Sequence, residues 1–299
     1  MSKEILLRKQ FDVLTYLERS NGAKTQRDIA EATAMSVGSV NRTVAALTDL
    51  GYVDGYVLTE AGYAALEPYR ARRAIFLAAG FSSRLAPVTL NSPKPLVRVN
   101  GKRIIDGLID AVLAAGIEEI IIVRGYLAEQ FAQLMYKYTM IRFLENPVYN
   151  ETHNIASAIC ARYLFSNAYV FEADLLLSNP SIIQKYQFTS NFLGIKKERT
   201  DDWCFSVKNG VITQQKVGGL NCYQEVGISY WNEADGKMLS QHLVEAYNLP
   251  GGKEFYWDQI PFIVFPKEYA VEIRECQGED VLEIDTYREL KNIDKAYDL

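Results

Sequence analysis

The chain is poor in several residues on which enzymes often depend. Its 299 residues include two histidines, His153 and His242, and four cysteines, Cys160, Cys204, Cys222 and Cys276. No Cys-x-x-Cys pair occurs, so neither a zinc site nor a disulfide framework is expected, and the thiols read as free ones in a reducing compartment. No apolar stretch reaches the ~20 residues of a membrane span. The start, Met1-Ser2-Lys3-Glu4-Ile5, lacks the apolar core of a signal peptide, and a cytoplasmic location without a membrane partner is expected. Positive charge is not in excess either: the formal net charge of −5 argues against indiscriminate nucleic-acid binding. Neither of the two best-known phosphate loops is present, because Gly80 is not followed by Gly-Lys-Ser/Thr and no Gly-x-Gly-x-x-Gly follows a strand. At 48% hydrophobic residues the chain can bury a large core, and its length suits two domains.

What is present centres on residue 80. Ala74-Ile75-Phe76-Leu77-Ala78-Ala79 reads as a strand covered on both faces, and Gly80 opens a loop of small residues whose N–H groups can approach an anion. Arg84 offers a planar fork of donors. Lys94 is a point charge held between Pro93 and Pro95, whose fixed φ angles restrict its swing. Two cations over one loop imply a polyanion, a nucleoside triphosphate. Downstream, the pattern predicts a helix over 104–115 ending at Gly116, a strand over 119–123 and a helix over 127–138. A strand over 142–145, a helix over 153–165 and a strand over 168–172 follow. This alternation predicts an α/β fold with a doubly wound sheet, whose crevice at the carboxyl ends of the strands brings Gly80 and Asp174 to one edge. Asp174 and Asp285 both follow strand-like runs and suit Mg²⁺, a hard cation that takes one or two carboxylates plus phosphate oxygens. Glu172 and Glu283 alternate away from them and rank behind.

The first seventy residues read differently. Helices over 5–18, 26–33 (capped by Thr25), 37–50 (opened by Ser36) and 60–66 (capped by Thr59), with short extended pieces over 51–58, give a winged helix-turn-helix order. Residues 1–71 are expected to form this domain and residues 72–299 the α/β domain, joined through Glu67-Pro68-Tyr69-Arg70-Ala71-Arg72-Arg73. Up to Arg73 there are ten basic and nine acidic side chains, short of the usual basic footprint. DNA binding through Ser36, Ser39, Asn41, Arg42 and Thr43 and an assembly or regulatory role therefore both stay open.

The loop at Gly80 and the downstream Ser92-Pro93-Lys94-Pro95-Leu96 resemble the signature of the nucleotidyltransferases that make sugar and alcohol nucleotides, Leu-Ala-Ala-Gly-x-Gly-x-Arg with a later Pro-Lys-Pro-Leu. Within that superfamily the chain resembles the bacterial CTP:phosphocholine cytidylyltransferases. The resemblance continues through Ile122-Val123-Arg124-Gly125-Tyr126, Asn146-Pro147-Val148-Tyr149-Asn150, Glu172-Ala173-Asp174, Gly227-Ile228-Ser229-Tyr230-Trp231 and Glu283-Ile284-Asp285. Ser82 departs from the pattern, standing where a second glycine is preferred; at positive φ a serine costs about 1 kcal/mol.

The resemblance implies a Rossmann-like nucleotidyltransferase fold, a doubly wound mixed sheet, behind the winged helix. It implies Mg²⁺-dependent transfer of CMP from CTP to phosphocholine. Phosphoethanolamine, 2-aminoethylphosphonate or a sugar phosphate are the alternative acceptors, and a nucleotide-sensing transcription regulator is the alternative function. Lys94 and Arg84 are then catalytic. Leu77, Ala78, Ala79, Gly80, Phe81, Ser82, Ser83, Arg84, Lys94 and Asp174 hold the nucleotide, with Asn154 and Ser157 as readers of the base, and Asp174 and Asp285 hold the metal. A phosphomonoester is already ionised at neutral pH, so the lack of a Ser-His pair is no obstacle. Choline is a permanent cation recognised by π faces and nearby carboxylates. Trp203 and Trp257 are expected to form its cage, with Tyr230, Trp231, Tyr256 and Asp258 beside them; core packing is the alternative for each tryptophan.

Overall fold

The computed structural model describes residues 5–21 and 25–298. They form two compact units, one of residues 1–70 with Tyr186–Phe188, the other of Ala71–Lys185 with Thr189–Leu299. A linear division of the sequence does not anticipate the three residues that join the first unit from far along the chain.

The first unit runs α1 (Arg8–Arg19), α2 (Gln26–Ala32), α3 (Val37–Asp49), β1 (Val53–Asp54), β2 (Val57–Leu58) and α4 (Glu60–Leu66). Three hydroxyls fix where helices start: Thr25 accepts from Asp28 N, Ser36 from Ser39 N and Thr59 from Gly62 N, each relieving an orphan donor. The core gathers Phe11, Leu14, Leu17, Ile29, Val40, Leu47 and Leu66, and Tyr186 is buried among them. Phe188 stacks on Tyr69 at 5.5 Å and meets Phe11 at 5.3 Å. Lys3 and Lys24, two of the bases counted in this segment, lie outside the described residues.

In the second unit the order is β3 (Arg73–Ala78), β4 (Arg98–Val99), β5 (Lys102–Arg103), α5 (Ile104–Ala114), β6 (Glu119–Arg124), β7 (Ile141–Glu145), α6 (Ile155–Ala161), β8 (Ala168–Glu172) and β9 (Leu175–Leu177). It continues with β10 (Asn191–Lys208), β11 (Val211–Trp231), α7 (Glu233–Tyr247), β12 (Glu272–Cys276), β13 (Val281–Glu283) and α8 (Tyr287–Ile293). Seven strands make one mixed sheet in the order β10-β12-β11-β8-β3-β6-β7. β8, β3, β6 and β7 are parallel, and β11 runs against β8. Side chains of β3 alternate between two cores. Phe76 packs with Ile105 and Leu108 of α5 on one face, while Ile75 and Leu77 pack with Ile155 of α6 and Leu239 of α7 on the other. Burial on both faces is why this strand reads as an unbroken apolar run.

Three departures from the sequence reading are local. The predicted helix over 127–138 is a run of tight turns over Ala128–Tyr136, because Leu127 takes φ 46° and Gln130 N reaches back only to Leu127 O. The helix predicted over 153–165 is shorter, Ile155–Ala161, and closes in a tight turn at Arg162–Leu164. The third is the hairpin of β10 and β11, 18 and 21 residues long, with an irregularity between Thr200 and Trp203. Among the described residues no helix is long and apolar enough to cross a membrane.

Candidate active site

Two adjoining cavities open at the carboxyl ends of β3 and β8. The smaller, about 240 Å³, is bordered by Leu77, Ala78, Ala79 and Gly80, and across from them by Asn146, Tyr149, Asn154 and Ser157. The larger, about 460 Å³, is bordered by Arg84, Trp203 and a set of carboxylates. Ser82, Lys94, Glu172, Asp174 and Tyr256 border both, so they form a single cleft with two lobes.

The loop after β3 is built for close approach. A Cβ at Gly80 would meet nothing within 4 Å, which leaves open space over the backbone. The left-handed residue is Ser82, at φ 53° and ψ 54°. Serine therefore occupies a conformation that glycine adopts without strain, at a cost of about 1 kcal/mol. Its carbonyl is held by Thr89 Oγ1 at 3.0 Å. Phe81 and Ser83 do not border the cleft: Phe81 packs edge-on against Tyr126 at 4.7 Å, and Ser83 begins the turn that carries Arg84.

The two cations of the loop are engaged with carboxylates. Lys94 is 3% exposed, and its Nζ lies 2.8 Å from Asp174 Oδ2 and 3.3 Å from Asp285 Oδ1. Arg84, largely exposed, donates to Asp285 Oδ1 at 2.9 Å. Burial alone pulls the Lys94 ammonium down, but Asp174, Asp285 and Glu283 outweigh it and hold the group above its ordinary value. Ligand atoms of Asp174, Glu283 and Asp285 lie within 4.8 Å of one another, and Asp174 Oδ1 is buried without a partner. An all-oxygen set with an orphaned carboxylate oxygen suits a hard divalent cation.

Glu283 corrects the sequence reading. Residues two apart on an extended chain share a face, so alternation puts Glu283 on the side of Asp285 rather than away from it, and the two carboxylates meet. Burial, then Asp174 and Asp285, push Glu283 up to about 8. Glu172 also borders both lobes, since β11 passes it with Gly227, where a Cβ would stand 2.5 Å from Glu172 Cγ. Burial, then Asp174 and Asp258, hold Glu172 well above the carboxylate range.

Other sequence-predicted residues separate into lining and core. Asn154 borders the smaller lobe, but both ends of its amide are taken by the protein: Nδ2 donates to Glu172 Oε1 at 3.1 Å and Oδ1 accepts from Trp257 N at 2.9 Å. It orients Glu172 and keeps one further N–H donor and one further acceptor lone pair at the smaller lobe. Ser157 is buried and accepts from Asn146 Nδ2 at 3.0 Å. Trp203, Tyr256 and Asp258 border the larger lobe, with the Trp203 and Tyr256 rings 6.2 Å apart. Tyr230, Trp231 and Trp257 do not. They are 1%, 0% and 2% exposed and pack in the cores, Trp257 against Phe165, Phe192 and Trp231. Their neighbouring acids made them look like cage residues, yet these strands and turns bury the rings. Asn146, Tyr149 and Glu225 were not anticipated as lining residues. The one available signal was the Asn146-Pro147-Val148-Tyr149 stretch already noted as part of the family pattern.

Comparison with known proteins identifies the scaffold. Residues 73–209 match the nucleotidyl transferase family, and residues 6–56 match the MarR family. The chain is 35% identical over 228 residues to a 2-aminoethylphosphonate cytidylyltransferase of Lancefieldella rimae, spanning 75% of this chain and 92% of that protein. The chain belongs to the nucleotidyltransferase family, on its cytidylyltransferase branch. It is also 32% identical over 230 residues to the choline-phosphate cytidylyltransferase of Streptococcus pneumoniae, spanning 74% of this chain and 97% of the relative. The solved structure of CTP:phosphocholine cytidylyltransferase from Streptococcus pneumoniae superposes with a TM-score of 0.70 at 28% identity, covering 76% of this chain and 99% of that one. The mixed sheet is thus the family's fold, and the amino-terminal unit is a MarR-family winged helix.

Proposed function

We propose that the enzyme transfers the cytidylyl group of CTP to a small phosphate or phosphonate that carries an ammonium group, releasing pyrophosphate. One observation carries the reading. The cleft joins a phosphate loop with two cations to a lobe bordered by seven carboxylates, Glu172, Asp174, Asp202, Glu225, Asp258, Glu283 and Asp285. Three of these cluster as metal ligands would. The other four are more than a neutral sugar phosphate would need, and they suit a cationic head group.

In this reading the smaller lobe takes the nucleoside, and the backbone at Gly80 and Ser82 faces the phosphates. An oxygen of the acceptor attacks the α-phosphorus while the bond to the leaving pyrophosphate breaks in line. Because a phosphomonoester is largely ionised at neutral pH, no general base is required, and catalysis is positioning plus charge neutralisation. Lys94 and Arg84 supply positive charge to the phosphates. Asp174, Glu283 and Asp285 would hold Mg²⁺, which when bound neutralises phosphate charge beside them.

Four carboxylates with only two aromatic rings favour an ammonium that still has N–H donors, as in 2-aminoethylphosphonate or phosphoethanolamine. The trimethylammonium of phosphocholine has its own support in the Trp203 and Tyr256 rings, set at 68° to each other like two walls of a cage. The test is pyrophosphate release from CTP, UTP, ATP and GTP against these three acceptors and glucose 1-phosphate. CTP with an amine acceptor is expected, and turnover confined to the sugar phosphate would overturn the reading. Trp203→Ala should raise the KM for phosphocholine more than that for 2-aminoethylphosphonate.

For the winged helix we infer contact with DNA through α3. Ser36, Asn41 and Arg42 are exposed there, whereas Ser39 and Thr43 are buried, Thr43 Oγ1 donating to Ser39 O at 2.9 Å. Binding of duplex DNA should weaken steeply between low and physiological salt. Failure to retard DNA at low salt would leave the domain a regulatory or assembly module.

A further inference from the structure

The far side of the larger lobe holds two acids that no cation of the cleft reaches, since Lys94 and Arg84 are engaged with Asp174 and Asp285. Glu225 lies on β11 and Asp258 follows Trp257, and both meet one side chain, Gln215 of β11. Gln215 Nε2 donates to Glu225 Oε2 at 2.8 Å and also to Asp258 Oδ2. Gln215 is 4% exposed, and its Oε1 is buried beside the pair without a partner. Glu225 and Asp258 thus share one amide nitrogen. Two ionised carboxylates at such a shared group repel each other, and a proton on one of them removes that repulsion.

Burying two acids beside each other is costly unless they are neutralised or paired. Here the shared Gln215 amide supplies one partner, and both acids border the cavity with Trp203 and Tyr256. Around the pair, among the described residues, lie Glu172 of β8, Asp202 and Cys204 of β10 and Gln215 itself, and Lys216, next to Gln215 on β11, acts on the Cys204 thiol. Burial, then the partner acid, holds Glu225 well above the carboxylate range, and burial raises Asp258.

We propose that Gln215 is a positioning residue that holds Glu225 and Asp258 as a one-proton pair, and that the ammonium group of the acceptor displaces this proton on binding. The step is an exchange without electron transfer: the carboxyl O–H bond breaks, the proton passes to solvent, and the incoming positive charge replaces it. The inference rests on the amine-acceptor reading above. Its consequence is an acceptor affinity that rises with pH while that for CTP does not follow.

The test is calorimetric titration of the Mg²⁺-loaded enzyme, with a non-transferable CTP analogue bound, by 2-aminoethylphosphonate in buffers of different ionisation enthalpy. Wild type should release about one proton more than Glu225→Gln, since the amide cannot carry the exchangeable proton. Ethylphosphonate, which lacks the cation, should show no such excess. Equal proton counts in wild type and Glu225→Gln, with binding retained, would overturn the displacement. Gln215→Met should raise the acceptor KM roughly tenfold with a much smaller change in the KM for CTP, the loss expected for a hydrogen bond to a charged group. A general packing defect would move both, and either that result or an unchanged acceptor KM would remove the positioning role. If wild type takes up no phosphorylated or phosphonylated amine, the amine-acceptor reading falls and the proton pair with it.

Discussion

Lys94→Met is the sharpest perturbation, because it removes a buried ammonium and keeps a chain of similar length. At an effective dielectric constant near 20, the contacts of 2.8 and 3.3 Å to Asp174 and Asp285 correspond to about 6 and 5 kcal/mol of gross attraction. Desolvation of the ammonium offsets much of this, and breaking such a pair from one side costs about 3–5 kcal/mol. The side chains of Lys94, Asp174 and Asp285 are 4%, 20% and 30% exposed, so solvent screening does not erase the effect. The loss should depend on pH. Lys94 lowers the Glu283 carboxyl, which burial, Asp174 and Asp285 push up to about 8. Without the ammonium, ionising Glu283 becomes costlier, so the deficit of the variant grows as pH rises from 6 to 8.5. Urea unfolding at both pH values, with and without Mg²⁺, measures this, and Mg²⁺ should return part of the loss. A variant within 1 kcal/mol of wild type at pH 8.5, with no pH trend, would refute the electrostatic account.

Asp174→Asn should lower turnover at least a hundredfold while the protein stays folded; near-normal rates would remove this residue from the chemistry. In Gly125→Ala the new Cβ would stand 2.7 Å from the Tyr149 ring, which borders the smaller lobe proposed for the nucleoside. That variant should lose about 1–3 kcal/mol and show a raised KM for CTP, and a normal KM despite lost stability would detach Tyr149 from nucleotide binding. Burial and Asp258 hold the Glu225 carboxyl above its value in the unfolded chain. Wild-type stability should therefore fall as pH climbs from 5 to 8, and Glu225→Gln should fall less; parallel slopes would contradict the assignment.

The glycine loop of the cleft and its two cations could be read from residues because these parts are local. Gly80, Ser82, Arg84 and Lys94 sit within one short stretch, and the Pro-Lys-Pro geometry restricts the cation by covalent constraint alone. The larger lobe could not. Its walls come from β8, β10, β11, β13 and the turn at Tyr256, so which side chain faces the cavity is decided by register and bulges. Period two puts Glu283 on the face of Asp285, so ranking it behind misapplied the alternation. Neighbouring acids made Trp231 and Trp257 look like ligand residues, and pairing of β11 with β8 puts Trp231 inside the core instead. Gln215 gave no signal at all, since its role depends on Glu225 ten residues away and Asp258 forty-three residues away.

The three aromatic and polar residues Tyr186, Gln187 and Phe188 bear on how the protein is made. They complete the amino-terminal core, Gln187 N donating to Tyr69 O at 2.8 Å and Phe188 stacking on Tyr69, yet they follow residue 70 by more than a hundred positions. Vectorial synthesis lets early domains fold first. Here the ribosome delivers a winged helix whose hydrophobic interior lacks its last pieces until four of the seven sheet strands have been translated. A nascent chain arrested before residue 186 should then be more open to protease in its first seventy residues than the finished polypeptide, which ties the maturation of the winged helix to that of the catalytic sheet.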